Sequence, residues 1–218
     1  MSEPTIQEVI DAINQGISRA QEDYKNANDS DIISEYCPEY YLTIYIFQAL
    51  LKALLKLKRE YEQEFRLSVE ESVWNMKKQF KIRGRPPDFI SRQGRCDLAL
   101  KDQDDNASAL IEVKKCPFDY QENIERLAYF VSCGLKYGVF ASCMFEEVID
   151  NKINEAQDKL KENSENIRKC IQNLIRGWKY DLLVKKQTGE MQEFREESKI
   201  YEWCPVCFVI CAKRTINT

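Results

Sequence analysis

The sequence predicts an α/β domain whose mixed central sheet is flanked by helices, and three observations predict it. Residues 94–115 read as a β-hairpin, since two short apolar-rich runs flank a turn of Asp, Gln and Asn. Residues 136–145 form a nearly continuous apolar run, as a central strand would, and the helical pattern between it and the hairpin makes a strand, helix, strand crossover with parallel pairing. Apolar residues at helical spacing before and after this unit supply the covering layers. At 218 residues the chain can bury one ordinary core. We divide it into an N-terminal helical decoration (1–36), an αβ core (37–145), and a long helix with further strands of the same domain (146–218).

Along the chain, Ile6, Val9, Ile10, Ile13 and Ile17 give an amphipathic first helix over 5–25, ended by the Asn, Asp and Ser of 26–34. Pro38 opens a second helix to about Lys58, with Glu39 in its first turn, where the helix dipole favours an acid. Gln48, Lys52 and Lys56 interrupt its apolar run, so it reads as a buried amphipathic helix and not a membrane span. Alternation over 60–67 predicts the first strand. Ser68, with Glu71 three residues on, then resembles the capping box of a short helix ending near Phe80.

After the hairpin, Pro117 and Asp119 start a helix to about Cys133. Residues 146–177 read as one long helix or two, and the polar middle, 159–165, could project as an arm or dimer element. Residues 180–186 and 200–212 are two late strands joined by a turn at Thr188-Gly189 and an acidic stretch, 190–197.

Composition bounds the chemistry. The chain is 44% hydrophobic and 31% charged, as in a soluble globular protein, and its net charge of −4 and pI near 5.2 require any nucleic-acid binding to use a local basic patch. Such a patch lies between Lys77 and Arg95, where Lys81, Arg83, Arg85, Arg92 and Arg95 are among seven basic residues set against Asp88 alone. Phosphate contacts would use it, with Phe80 and Phe89 available for stacking, although a solvated loop balancing an acidic protein has the same composition. Histidine is absent, which excludes His-dependent triads, nucleases and zinc sites and leaves carboxylates, Lys, Tyr and Cys for acid–base work. Only seven glycines are present, with neither a P-loop nor a dinucleotide fingerprint.

Nine cysteines follow an acidic, polar start, and several sit in apolar patterns, so a reduced, cytoplasmic chain is expected. Cys204 and Cys207 form a CxxC without a second pair, and read as core strand residues. Cys37 and Cys170 carry no mark of a nucleophile.

The chemistry-bearing stretch is the hairpin. In its second strand Ile111 and Val113 share one face while Glu112 and Lys114 share the other, and Asp97 heads the neighbouring strand. Buried, these charges must compensate one another; exposed, Glu112 and Lys114 would be an ordinary surface ion pair. Two carboxylates converging with a lysine make an oxygen-ligand pocket for a hard divalent cation.

Asp97, fourteen intervening residues, then Glu112-Val113-Lys114 resembles the PD-(D/E)xK nuclease superfamily, the restriction-endonuclease-like fold. The order of elements over residues 37–145 also resembles the family's core. Cys96 stands where the family often has Pro, and the literal Pro87-Asp88 is set aside because no strand alternation follows it.

The resemblance implies a metal-dependent nuclease acting on nucleic acid, most readily DNA. Asp97, Glu112 and the backbone of Val113 would hold Mg²⁺ or Mn²⁺, Glu39 would lean over the metal, and Lys114 would position water. Lys115 would join the basic residues in binding nucleic acid. No target-reading domain is recognisable, so a partner protein or a homodimer would supply selectivity. The alternatives are a non-cutting scaffold that binds nucleic acid or protein, and an assembly protein built on the helical arm.

Overall fold

A computed structural model describes residues 4–27, 38–61, 65–81, 94–115, 120–176, 181–196 and 199–213. Seven strands form one mixed sheet: β1 (Arg66–Ser72), β2 (Arg95–Lys101), β3 (Ala107–Lys114), β4 (Tyr137–Glu147), β5 (Leu182–Thr188), β6 (Gln192–Glu196) and β7 (Lys199–Ala212). Their order is β1-β2-β3-β4-β7-β5, with β6 also paired to β7. Only the β3–β4 pair is parallel among these neighbours, as a crossover through a helix requires.

Two helical layers cover the sheet. On one face α1 (Ile6–Ala27) and α2 (Glu39–Tyr61) bury Ile13, Ile17, Leu42 and Ile46 against Leu98, Ile111, Val113 and Val139. The helix expected as a decoration is thus half of that layer. Gly16 permits the close α1–α2 approach, since a Cβ there would stand 2.7 Å from the Ile46 Cα. On the other face α3 (Val73–Gln79), α4 (Gln121–Ser132) and α5 (Ile153–Ile175) pack Met76, Leu127, Phe130, Leu160 and Ile171 on Leu110, Phe140 and Phe208.

Several boundaries differ from expectation for identifiable reasons. α2 runs to Tyr61 and the first strand occupies 66–72, so Ser68 and Glu71 bond each other (2.9 Å) within the strand. Ser72 is the cap of α3, accepting from Asn75 N–H at 3.2 Å. The same hydroxyl-to-acid spacing suits either setting, and pairing with β2 decides. α5 begins at Ile153 because β4 continues to Glu147 opposite Tyr201. It does not project: Ala156, Leu160, Ser164, Ile171 and Ile175 are buried. The acidic stretch forms β6, with Phe194 buried beneath it.

β7 is the longest strand and holds the CxxC, with Cys204 and Cys207 fully buried. One of its edges pairs with β4 throughout, and the other pairs with β6 over 199–203 and with β5 over 206–212. Pro205, which has no N–H to donate, occupies the gap between β6 and β5. The cysteines among the described residues are all free thiols.

α2 is long and apolar enough to cross a membrane by length and composition alone, with 28% of its apolar window buried. It buries one stripe (Leu42, Ile46, Leu50, Leu54, Leu57), as the expected amphipathic helix would, and leaves a second apolar stripe exposed.

Candidate functional site

The site lies where the sheet forks. β2 and β3 pair from Lys101↔Ala107 to Leu98↔Ile111 and there the ladder stops, although β2 continues against β1 to Ser72↔Arg95 and β3 continues against β4 to Lys114↔Ser142. On the outer side of β2, Glu70 adopts φ +55°, and the β1–β2 register skips a pair between Val69↔Leu98 and Glu71↔Cys96. Strand alternation breaks at the same level: Leu98 belongs to the α1–α2 core and Cys96 to the α3–α4–α5 core, two residues apart. The broken pleat frees Asp97 to turn into the plane of the fork.

There its Oδ2 accepts the Val113 N–H at 2.7 Å, a carboxylate taking the place of a strand carbonyl. Burial raises the Asp97 carboxyl above its ordinary pKa, opposed by the Val113 N–H, with the nearby charge of Glu39 adding to the rise.

Glu112 turns from β3 toward α4 and is 3% exposed. Its Oε1 has no hydrogen-bond partner and stands 3.4 Å from Arg126 Nε. Desolvation pushes the Glu112 carboxyl up to about 8 against the pull of Arg126, and the neighbouring charge of Asp97 contributes to the rise. Arg126 is fixed by two further bonds, from Nη1 to the Arg95 carbonyl (2.6 Å) and from Nη2 to Asn123 Oδ1 (2.9 Å). Its guanidinium therefore ties β2, β3 and α4 together at the fork. Cys96, beside Glu112, has its thiol pKa raised well above the usual value by burial first and the Glu112 charge second.

Lys114, the last residue of β3, carries its ammonium to Glu39 in the first turn of α2, Nζ to Oε1 at 2.6 Å. Burial alone would lower the Lys114 pKa, but the hydrogen bond and charge of Glu39 outweigh it and hold it above ordinary. Asp97, Glu112, Lys114 and Glu39 thus occupy one neighbourhood and feel one another's charge. They do not form one cluster: Glu112 faces the α4 layer, Lys114 reaches the α2 layer, and Asp97 lies between. Among the described residues no three acidic or thiol side chains converge as a metal-binding group.

Asp97 and Glu112 offer carboxylate oxygens of the kind that a divalent cation of the Mg²⁺ type takes. Such an ion takes one or two protein carboxylates and fills its other positions with water and substrate phosphate. A buried carboxylate oxygen without a donor, as at Glu112, is an acceptor that a cation would satisfy.

Of the residues expected to bind nucleic acid, Arg95 is exposed and paired with Glu70, Lys81 is exposed with φ +51°, and Lys115 is half-buried beside the fork. Arg83, Arg85 and Arg92, with Asp88, Phe89, Pro117 and Asp119, lie outside the described residues. Arg126 was missed by sequence reasoning. Its position one helix turn beyond Asn123, on the helix following the hairpin, was the available signal.

Comparison with family models, with curated proteins and with solved structures found no significant match.

Proposed function

We propose that the protein is a metal-dependent nuclease that hydrolyses phosphodiester bonds, most readily in DNA, at the fork between β2 and β3. The reading rests on one observation: the partly buried Asp97 and the buried Glu112 flank the point where the ladder opens, and Oε1 of Glu112 accepts no hydrogen bond, with only the Arg126 ion pair beside it at 3.4 Å. Asp97, Glu112 and the Val113 carbonyl would hold Mg²⁺ or Mn²⁺, with Glu39 able to join when it releases Lys114. The bound ion supplies Lewis-acid polarisation of the scissile phosphate and charge neutralisation. Lys114 orients the attacking water through its ammonium and stabilises the developing negative charge. Glu112 is buried and Asp97, Lys114 and Glu39 are partly covered, so their interactions are stronger than in open water. Arg95, Lys81 and Lys115 provide phosphate contacts that position the strand without reading its sequence.

A second reading is favoured by a specific contact. Arg126 already places a cation beside Glu112, and Glu39 already holds Lys114, so the same geometry suits a non-cutting scaffold that binds nucleic acid or protein. Linear, supercoiled and single-stranded DNA and RNA, incubated with wild type and Lys114→Ala in Mg²⁺, Mn²⁺ or EDTA, separate the two. Metal-dependent cutting that the substitution abolishes supports the nuclease. Retarded mobility without cutting under every metal condition overturns it in favour of the scaffold.

A further inference from the structure

The second stripe of α2 is unusual for a surface helix. Tyr40, Ile44, Leu51 and Leu55 are 66%, 45%, 40% and 49% exposed. With Phe47 and Gln48 between them, successive members fall three or four residues apart and so share one face. Contiguous apolar surface of this kind marks an interaction site more often than isolated residues do.

The stripe's spacing is the same read in either direction. Turned end for end about a point between Phe47 and Gln48, Tyr40 meets Leu55, Ile44 meets Leu51, and Phe47 meets Gln48. A surface that matches its own reversal is what a two-fold interface demands.

Charge agrees with that operator. Lys52 and Lys56 lie along the flank of the stripe toward α1, in a groove with Gln15, Ala49 and Ala53. On the same flank, beside Tyr45, α1 contributes Glu22 and Asp23 in a groove that Arg19 and Lys52 also line; Asp23 accepts from the Tyr45 hydroxyl at 2.8 Å and pairs with Arg19 at 3.7 Å. A two-fold axis across the stripe keeps the flank and exchanges the ends, bringing Lys52 and Lys56 of each copy toward the partner's acidic pair. The antiparallel helix dipoles oppose favourably as well.

We infer that a second copy of this chain docks here, α2 antiparallel to α2 about a two-fold axis between Phe47 and Gln48. One helix pair and its α1 flank make a small interface, so the dissociation constant is on the order of micromolar. The packing does not depend on the chemistry of the fork.

Sedimentation velocity and light scattering over a range of micromolar concentrations test it. Wild type should move from monomer toward twice 25.7 kDa as concentration rises, while Leu51→Asp/Leu55→Asp stays monomeric with an unchanged far-ultraviolet circular dichroism spectrum. Register is read separately in a Cys170→Ser background: Gln48→Cys should oxidise to a disulfide-linked dimer, and Glu162→Cys, exposed on α5, should not. A wild-type monomer at every concentration overturns the inference. So does a dimer that survives the double Asp substitution, or a monomer that binds lipid vesicles through the stripe.

Discussion

Replacing Glu112 by Gln should stabilise the protein increasingly as pH rises while abolishing any metal-dependent activity. Burial pushes the native carboxyl up to about 8 from an ordinary 4.5, disfavouring its charged form more than Arg126 favours it. Between those values the folded chain binds the proton that the unfolded chain has released, so stability falls as pH rises through this window. The contribution is fully present below about 4.5 and fully lost above about 8. Gln has no such proton to lose. Each pH unit inside the window shifts the difference between variant and wild type by about 1.4 kcal/mol, or about 3 kcal/mol from pH 5 to pH 7.5. Urea unfolding followed by tryptophan fluorescence at several pH values measures it. With an m-value of about 2 kcal/mol/M, the gap between the two midpoints should widen by about 1.5 M over that interval. Parallel midpoints across the range, or a variant that loses ground toward alkaline pH, would refute the assignment of Glu112 as a buried acid kept neutral by desolvation.

Other consequences are as direct. Arg126→Ala removes the guanidinium placed against Glu112 together with two hydrogen bonds, and should cost roughly 2–4 kcal/mol by urea unfolding, more at pH 9 than at pH 6. Mn²⁺ added at about a hundred times its dissociation constant should raise wild-type stability by about 2.7 kcal/mol, and Glu112→Gln should show little of this gain. An equal gain in both would remove Glu112 from the ligand set. Gly16→Ala drives a methyl onto the Ile46 backbone and should lower stability by about 1–3 kcal/mol in thermal or urea unfolding, with the fork's chemistry unchanged.

How much of this was legible in the sequence depended on whether a residue's role was set by its neighbours in the chain or across the sheet. The hairpin, the crossover helix and the central strand follow from local periodicity, and the structure places them as read, within a few residues. The first strand was misplaced because Glu60 to Leu67 alternates as well as Arg66 to Ser72 does, and only the ladder with β2 chooses between them. β6 was hidden in an acidic stretch, since an edge strand exposing alternate charges looks like a loop unless its one buried ring, Phe194, is noticed. The identities of Asp97, Glu112 and Lys114 were readable, but their directions were not. Alternation put Glu112 and Lys114 on one face, whereas the end of β3 lets the long Lys114 stem cross to α2. The broken pleat at Asp97, matched by the left-handed Glu70, leaves no mark in the composition.

That break carries an energetic argument. A sheet optimised for stability would continue the β2–β3 ladder past Leu98, place an apolar residue at Glu112 and leave no carboxylate oxygen without a donor. Here the fork holds two carboxyls whose ionisation burial opposes, a half-buried guanidinium, and a non-glycine residue at positive φ. Each of these lowers stability, and the cost is carried elsewhere, in the unbroken β4–β7 ladder from Tyr137↔Cys211 to Glu147↔Tyr201 and the fully buried Phe140 and Phe208 beside it. If these groups served only the fold, replacing Glu112 and Arg126 together by apolar residues of similar volume would raise stability at no cost in function. A double variant that unfolds later yet loses nucleic-acid cleavage or binding would show that the fork is kept for chemistry, whereas one that unfolds later and retains both would return it to structure alone.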